Sequence, residues 1–108
     1  MESSLSINEV SRRVGLTAYT LRYYERIGLI APIGRDAGGQ RRFARADMDW
    51  LEFLVRLRAT GMPIRSMQSF AALRAKGDAT AGERRAMLET HLRAVAAQMQ
   101  VLQESAQV

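Results

Sequence analysis

"LTAYTLRYYERIGL", residues 16–29, sets Tyr23 beside Tyr24, between Arg22 and the pair Glu25–Arg26. Thr17 offers a hydroxyl where a helix N-cap is wanted, and no proline or glycine follows until Gly28, so the stretch reads as a short helix. Successive residues on a helix point about 100° apart, so neighbouring tyrosines cannot share a direction. Tyr19, Arg22, Tyr23 and Arg26 fall on one face, and Thr17, Leu21, Tyr24 and Gly28 on the other. The spacing therefore turns Tyr24 inward with Leu21 and Tyr23 outward with Arg22.

A solvated face gains little from two tyrosines among arginines, whereas a nucleic-acid surface uses that mixture. Guanidinium groups pair with phosphates or guanine edges, tyrosine hydroxyls donate to phosphate oxygens, and the rings contact sugars or thymine methyls. The alternative packs Tyr23 beneath a neighbouring segment and leaves Tyr19 incidental.

Upstream, "SINEV" carries Ser6 and Glu9 at capping-box spacing, followed by Ile7, Val10 and Val14 at helical intervals and a stop at Gly15. Two short helices joined through a glycine turn form a helix-turn-helix, whose second helix is offered to the major groove. Downstream, "PIGRDAGGQRRFAR" sets Gly34, Gly38 and Gly39 between Ile33 and Phe43, the pattern of a small β-hairpin wing bearing Arg35, Arg41 and Arg42. A lone hairpin is marginal in water, so Phe43 is expected to anchor it to the helices. Arg41 and Arg42 would then lie beside the groove, gripping phosphates or entering the minor groove.

"ADMDWLEFLVRLRAT" starts with the acids Asp47 and Asp49, which the helix dipole favours, and buries Trp50, Leu51, Leu54, Leu57 and Met48. Gly61 ends it, and Pro63 suits the first turn of the next helix. There Ile64, Met67, Phe70 and Ala71 form the core stripe, with Leu73 in preference to the charged Arg74 as its last member. After the break at Gly77–Asp78, Thr80 and Glu83 have capping-box spacing, and residues 81–108 run without proline. Leu88, Leu92, Val95, Met99 and Leu102 recur at alternating intervals of four and three, continuing to Ala106, which is an a/d seam. Nothing that follows would cover this seam, so pairing with a second copy is expected. The organisation is a DNA-binding head over residues 1–76 and a dimerisation helix over 77–108.

Charge follows the same division. Of a net +5, residues 1–45 hold eight arginines against four acids, while residues 79–108 hold three basic and three acidic groups. A basic head on a neutral tail suits a polyanion partner. There is no cysteine, which removes disulfides, thiolate zinc sites and cysteine redox switching, and the only histidine is His91. We expect no metal and no cofactor. His91 reads as a satisfied or solvent-facing histidine beside the seam, and Met62, Met67, Met87 and Met99 as core. No Ser/His/Asp set or working carboxylate pair is found, so no enzyme is expected. The N-terminus lacks the basic start and apolar middle of a signal peptide, and no apolar run reaches membrane length, so a cytoplasmic protein is the default.

Together, "SINEVSRRVGLTAYTLRYYERIGLIAP" and "GGQRRFARADMDWLEFLVRLRATGMPIRSM" resemble the MerR family of bacterial transcription regulators. The resemblance runs over roughly residues 5–75. It rests on the Ser-Ile start, Glu9–Val10, Gly15, Thr20 to Glu25, Gly28–Leu29, Pro32, the Arg-x-Phe wing and the Leu-Arg-x-x-Gly hinge. It implies a mainly α, winged helix-turn-helix head and an antiparallel coiled-coil homodimer. Such a dimer binds a two-fold operator in a promoter with an overlong spacer and distorts the DNA, so that RNA polymerase is served indirectly. By position, the resemblance implies that Ala18, Tyr19 and Arg22 face the major groove, that Tyr23 holds phosphate and that Arg41 is the wing arginine. It further implies that Arg56 or Arg58 adds phosphate contacts from a second wing. The layout is nearest the aldehyde- and electrophile-responsive branch, but the cysteines of the metal, redox and electrophile sensors are missing, so no inducer can be named. The large drug-binding domain of other members is also not among these residues, and the seam runs to the last of them, which raises the expectation of a longer natural chain. A rival class is an excisionase-like architectural DNA-binding protein that regulates no promoter. Another is a helical module whose basic face meets an acidic protein.

Overall fold

The computed structural model describes residues 4–107. A short strand β1 (Leu5–Ser6) leads into α1 (Ile7–Val14) and α2 (Ala18–Arg26). The wing follows, ending in β2 (Arg42–Phe43), and then come α3 (Arg45–Ala59), α4 (Ile64–Ala75) and α5 (Ala81–Ala106). A single 3-10 turn, Asp78–Thr80, joins the last two helices.

The capping box at α1 forms in both directions. The Glu9 N–H donates to Ser6 Oγ at 3.2 Å, and the Ser6 N–H donates to Glu9 Oε1 at 2.9 Å. Gly15 ends the helix in the left-handed region, at φ 76°, and its N–H donates to the Ser11 carbonyl. Thr17 then caps α2 by accepting from the Thr20 N–H at 3.0 Å. Two caps only two positions apart make the turn tight, and this fixes the angle between the two helices.

The wing closes around Asp36, whose Oδ1 accepts from the N–H groups of Gly38 and Gln40 at 3.0 Å. Arg35 and Arg41 bridge its arms, and the Arg42 N–H donates to the Gly34 carbonyl at 2.8 Å. The second arm runs on into β2, which pairs antiparallel with β1 in the register Leu5 to Phe43 and Ser6 to Arg42. The chain's start thus supplies the strand that steadies the wing, a pairing the sequence pattern did not suggest. Phe43 anchors the wing from a fully buried position.

One core joins all these parts. Val10, Leu21, Tyr24, Leu29, Phe43, Leu51, Leu54 and Met67 are buried, with Trp50 and Phe70 stacked at 6.0 Å between ring centroids. The Trp50 indole donates to the Leu29 carbonyl at 2.8 Å, tying α3 to the end of α2. At the close of the α4 stripe, the Arg74 guanidinium lies over the Trp50 ring, 4.1 Å from its centroid, and Leu73 is only half-buried. The charged residue thus shares that position, because its flat cation covers an aromatic face.

The start of α5 differs from its expected form. Thr80 takes φ −99°, ψ 7° rather than the extended N-cap geometry, and no Thr80–Glu83 capping box forms. Its hydroxyl instead faces the carbonyls of Leu73 and Gly77, at 2.6 and 2.9 Å, and accepts from Arg84 Nε at 3.0 Å. Helix α5 packs on α4 through its first turns, where Met87 and Leu88 rest against the core. Further along it projects away from the head, and Met99, expected as core, is 56% exposed. No helix among the described residues is long and apolar enough to cross a membrane.

Candidate nucleic-acid interface

Helix α2 divides its tyrosines as its spacing requires. Tyr24 is buried with Leu21, while Tyr19 is 72% and Tyr23 37% exposed. Burial pushes the Tyr24 hydroxyl above its ordinary pKa, although the positive charge of Arg58 acts in the opposite direction. Arg22 and Arg26 are exposed on the outer face, and the Arg26 guanidinium lies 5.3 Å from the centre of the Tyr23 ring. That cation–π contact limits the ring's freedom and sets a positive charge beside the phenol. Ala18, at the first turn, is half-buried, so its backbone and methyl group come close to the surface without projecting.

The wing is locked to this helix by Glu25. Its Oε1 accepts from Arg41 Nε at 2.7 Å, and its Oε2 accepts from the Ile33 N–H at 2.8 Å. Both side chains of the ion pair are about one-fifth exposed or less. Burial raises the Glu25 pKa, but the Ile33 N–H and the Arg41 and Arg35 charges outweigh it and hold the carboxyl below its ordinary value. Sequence reasoning missed Glu25 because its partners lie 8 and 16 positions away, and only the fold of the wing brings them together.

The structure brings Tyr19, Arg22, Tyr23 and Arg26 onto one surface, with the braced Arg41 on the adjoining wing. Arg42 turns elsewhere, with its Nε on Ser4 Oγ at 3.0 Å and its Nη2 on the Ser4 carbonyl at 2.7 Å, which fastens the wing to the chain's start. Arg58 is exposed near the end of α3, with Nη1 3.3 Å from the Met62 carbonyl. A further tie, Gln68 Nε2 to the Ile27 carbonyl at 3.1 Å, holds α4 to the end of α2. The seam residues are divided in their surroundings. Leu88 packs on the head and Val95 is half-buried, whereas Leu92, Met99 and Leu102 lie in the open. Among the described residues, no group of three or more His, Cys, Asp and Glu side chains is placed to hold a metal ion.

Two family models match the chain. One, described as MerR HTH family regulatory protein, covers residues 5–72, and the other, described as MerR, DNA binding, covers residues 48–108. An uncharacterised HTH-type transcriptional regulator of Haemophilus influenzae is 37% identical over 84% of this chain and 67% of its own length. The HTH-type transcriptional regulator AdhR of Bacillus subtilis is 39% identical over 78% of this chain and 60% of its own. The chain therefore spans about two thirds or less of these relatives' length. Among solved structures, a MerR family transcriptional regulator from Listeria monocytogenes superposes with a TM-score of 0.87 and 37% identity, over 94% of this chain and 77% of that one. HiNmlR, a MerR family regulator lacking the sensor domain and bound to promoter DNA, gives 0.87 and 34%, over 94% and 81%.

Proposed function

The chain belongs to the MerR family of transcriptional regulators, which are not enzymes, and on that premise we propose that it binds a two-fold promoter operator as a homodimer and distorts the DNA there. The observation that carries this reading is the outer face of α2, where two exposed tyrosines stand among arginines beside a wing that is ion-paired to the same helix. Ala18, Tyr19 and Arg22 approach base edges in the major groove, and Tyr23, steadied by Arg26, donates its hydroxyl to a phosphate. Arg41 presents its terminal Nη groups to the backbone while Glu25 holds its Nε. Arg42 acts mainly by fixing the wing to β1, and Arg58 adds a phosphate contact from the end of α3.

Residues 1–76 form the reading head, and residues 77–108 form the helix that pairs two copies through Leu88, Leu92, Val95, Met99 and Leu102. Pairing is antiparallel. This orientation sets the two heads at opposite ends, and it brings the exposed outer half of each α5 beside the inner half of the other. RNA polymerase is served indirectly, through the altered promoter, and the protein works in the cytoplasm. HiNmlR, bound to promoter DNA at 34% identity, supports the DNA role.

The test is operator binding against salt. Wild-type affinity should fall linearly with salt on logarithmic axes, because counterions are released from the phosphates. Tyr23→Ala should weaken binding about tenfold at every salt concentration with the melting temperature unchanged. A variant that unfolds would put Tyr23 in the core instead, and a complex indifferent to salt would remove the phosphate-gripping role.

A further inference from the structure

Helix α2 ends in a chain reversal. Ile27 closes the helix, Gly28 takes φ 81°, and the N–H groups of Leu29 and Ile30 turn back to the Tyr24 carbonyl at 2.9 and 3.3 Å. The reversal thus spends its own N–H groups locally and leaves the carbonyls of Ile27 and Leu29 for donors from elsewhere.

Both donors are side chains of the next two helices. Trp50 Nε1, on α3, donates to the Leu29 carbonyl at 2.8 Å, and Gln68 Nε2, on α4, donates to the Ile27 carbonyl at 3.1 Å. An amide that meets a carbonyl must present its nitrogen, so the direction of the Gln68 bond is fixed. The two ties differ in stiffness. Trp50 is buried, with Phe70 stacked on its ring and the Arg74 guanidinium over it, so it cannot shift. Gln68 is half-buried. With the Trp50 bond alone, the end of α2 could swing about one point. The Gln68 bond, two residues earlier on the chain, removes that swing.

Apolar packing does not do the same work. Leu21 and Tyr24 hold the inner face of α2 in the core, but burial is non-directional and tolerates a small rotation or slide. Of the other named elements, only α1 runs close alongside α2. Helix α5, by contrast, packs on α4, and its His91 Nε2 lies 2.7 Å from Thr60 Oγ1 at the end of α3. Helices α3, α4 and α5 therefore form one block, and Gln68 and Trp50 attach that block to the end of α2.

We propose that Gln68 is a positioning residue for DNA reading, which sets the angle at which α2 presents Tyr19 and Arg22 to the groove. The proposal rests on α2 being the reading helix, as proposed above, and deepens that reading by naming the residue that fixes its pose. Base edges demand a defined angle, whereas long arginine side chains reach phosphates from many poses. Gln68 therefore acts on the preference for one sequence more than on affinity for DNA as such.

Gln68→Met keeps the length of the side chain and removes the donor. In amide hydrogen exchange without DNA, the N–H groups of Gly28, Leu29 and Ile30 should exchange several-fold faster than in wild type, while those of Leu51 and Leu54 in α3 keep their wild-type rates. Equal acceleration at both places would make Gln68 a general stabiliser and overturn the proposal, as would unchanged rates at 28–30. Binding is then measured on a duplex that the wild-type protein selects from a random-sequence pool. The ratio of affinity for that duplex to affinity for an unselected one of equal length should fall about threefold to tenfold in Gln68→Met, the worth of one hydrogen bond. Gln68→Lys keeps an N–H donor and should hold the ratio within about twofold of wild type. A ratio unchanged in Gln68→Met, or lowered equally in both variants, would overturn the positioning role. A wild-type protein that selects no duplex would remove the premise that α2 reads DNA, while the exchange rates at 28–30 would still report the tie itself.

Discussion

Glu25 sits on α2 yet contributes no charge to its outer surface, because both carboxylate oxygens are engaged inward. This arrangement makes the wing's position depend on one ionisation. The carboxyl's folded pKa lies below the ordinary value of 4.5, so the unfolded chain binds a proton more readily than the folded one. The stability this gives is complete above that ordinary value and is lost as pH falls through the lower, folded value. Glu25→Gln keeps an acceptor for the Ile33 N–H but removes the ion pair. At neutral pH it should lower stability by about 1.5 to 3 kcal/mol, the range for a hydrogen bond to a charged partner. Urea titrations across the acid range should show the variant closing on wild type as pH drops below about 4 to 5. A constant gap down to the acid limit would mean that the carboxylate's charge contributes nothing. Operator binding by the variant should weaken as well, since Arg41 would no longer be held at its Nε.

At the scale of elements, the turn between α1 and α2 depends on backbone conformation more than on packing. Gly15 has φ 76°, and a Cβ built there would meet nothing within 4 Å. Gly15→Ala should therefore cost only the left-handed penalty, about 1 to 2 kcal/mol, with no steric addition. A thermal melt unchanged from wild type would show that the turn relaxes to another geometry. That turn was legible in the sequence because its determinants are local, with Ser6, Glu9, Gly15 and Thr17 each acting within a few positions. The stripes of α3 and α4 were legible for the same reason, since helical spacing gathers Trp50, Leu54, Leu57, Met67 and Phe70 without knowledge of the fold. Contacts made across the chain were not. The two-residue strand β1 carries no alternation to read, and its partner begins 36 positions later, at Arg42. Thr80 and Glu83 have the right spacing for a capping box, but the 3-10 turn takes Thr80 out of the extended geometry of an N-cap and sends its hydroxyl to carbonyls instead. On the candidate interface, the outward face of α2 followed from its wheel, whereas the Glu25 brace and the turning of Arg42 to Ser4 depend on where the wing folds.

For the whole molecule, the decisive feature is the shape of α5. Its 26 residues extend to roughly 39 Å, longer than the head can cover. The described chain measures 58 × 37 × 27 Å as a result. Leu92 and Leu102 are 64% and 58% exposed, and with Met99 they leave an apolar strip on the outer helix. A strip of this kind marks an interaction surface, and its seam rhythm matches a second helix. Leu92→Glu combined with Met99→Glu should yield a monomer by sedimentation, with the head still folded, because neither residue belongs to the buried core. The monomer should retain α2 and the wing but lose the gain that comes from placing two heads on one operator. Coupling two sites through one rigid link raises affinity by about 10² or more, so operator binding should fall by at least that factor while single-site contacts persist. A variant that stays dimeric would refute the seam, and a monomer that binds the operator as tightly as wild type would show that one head is enough.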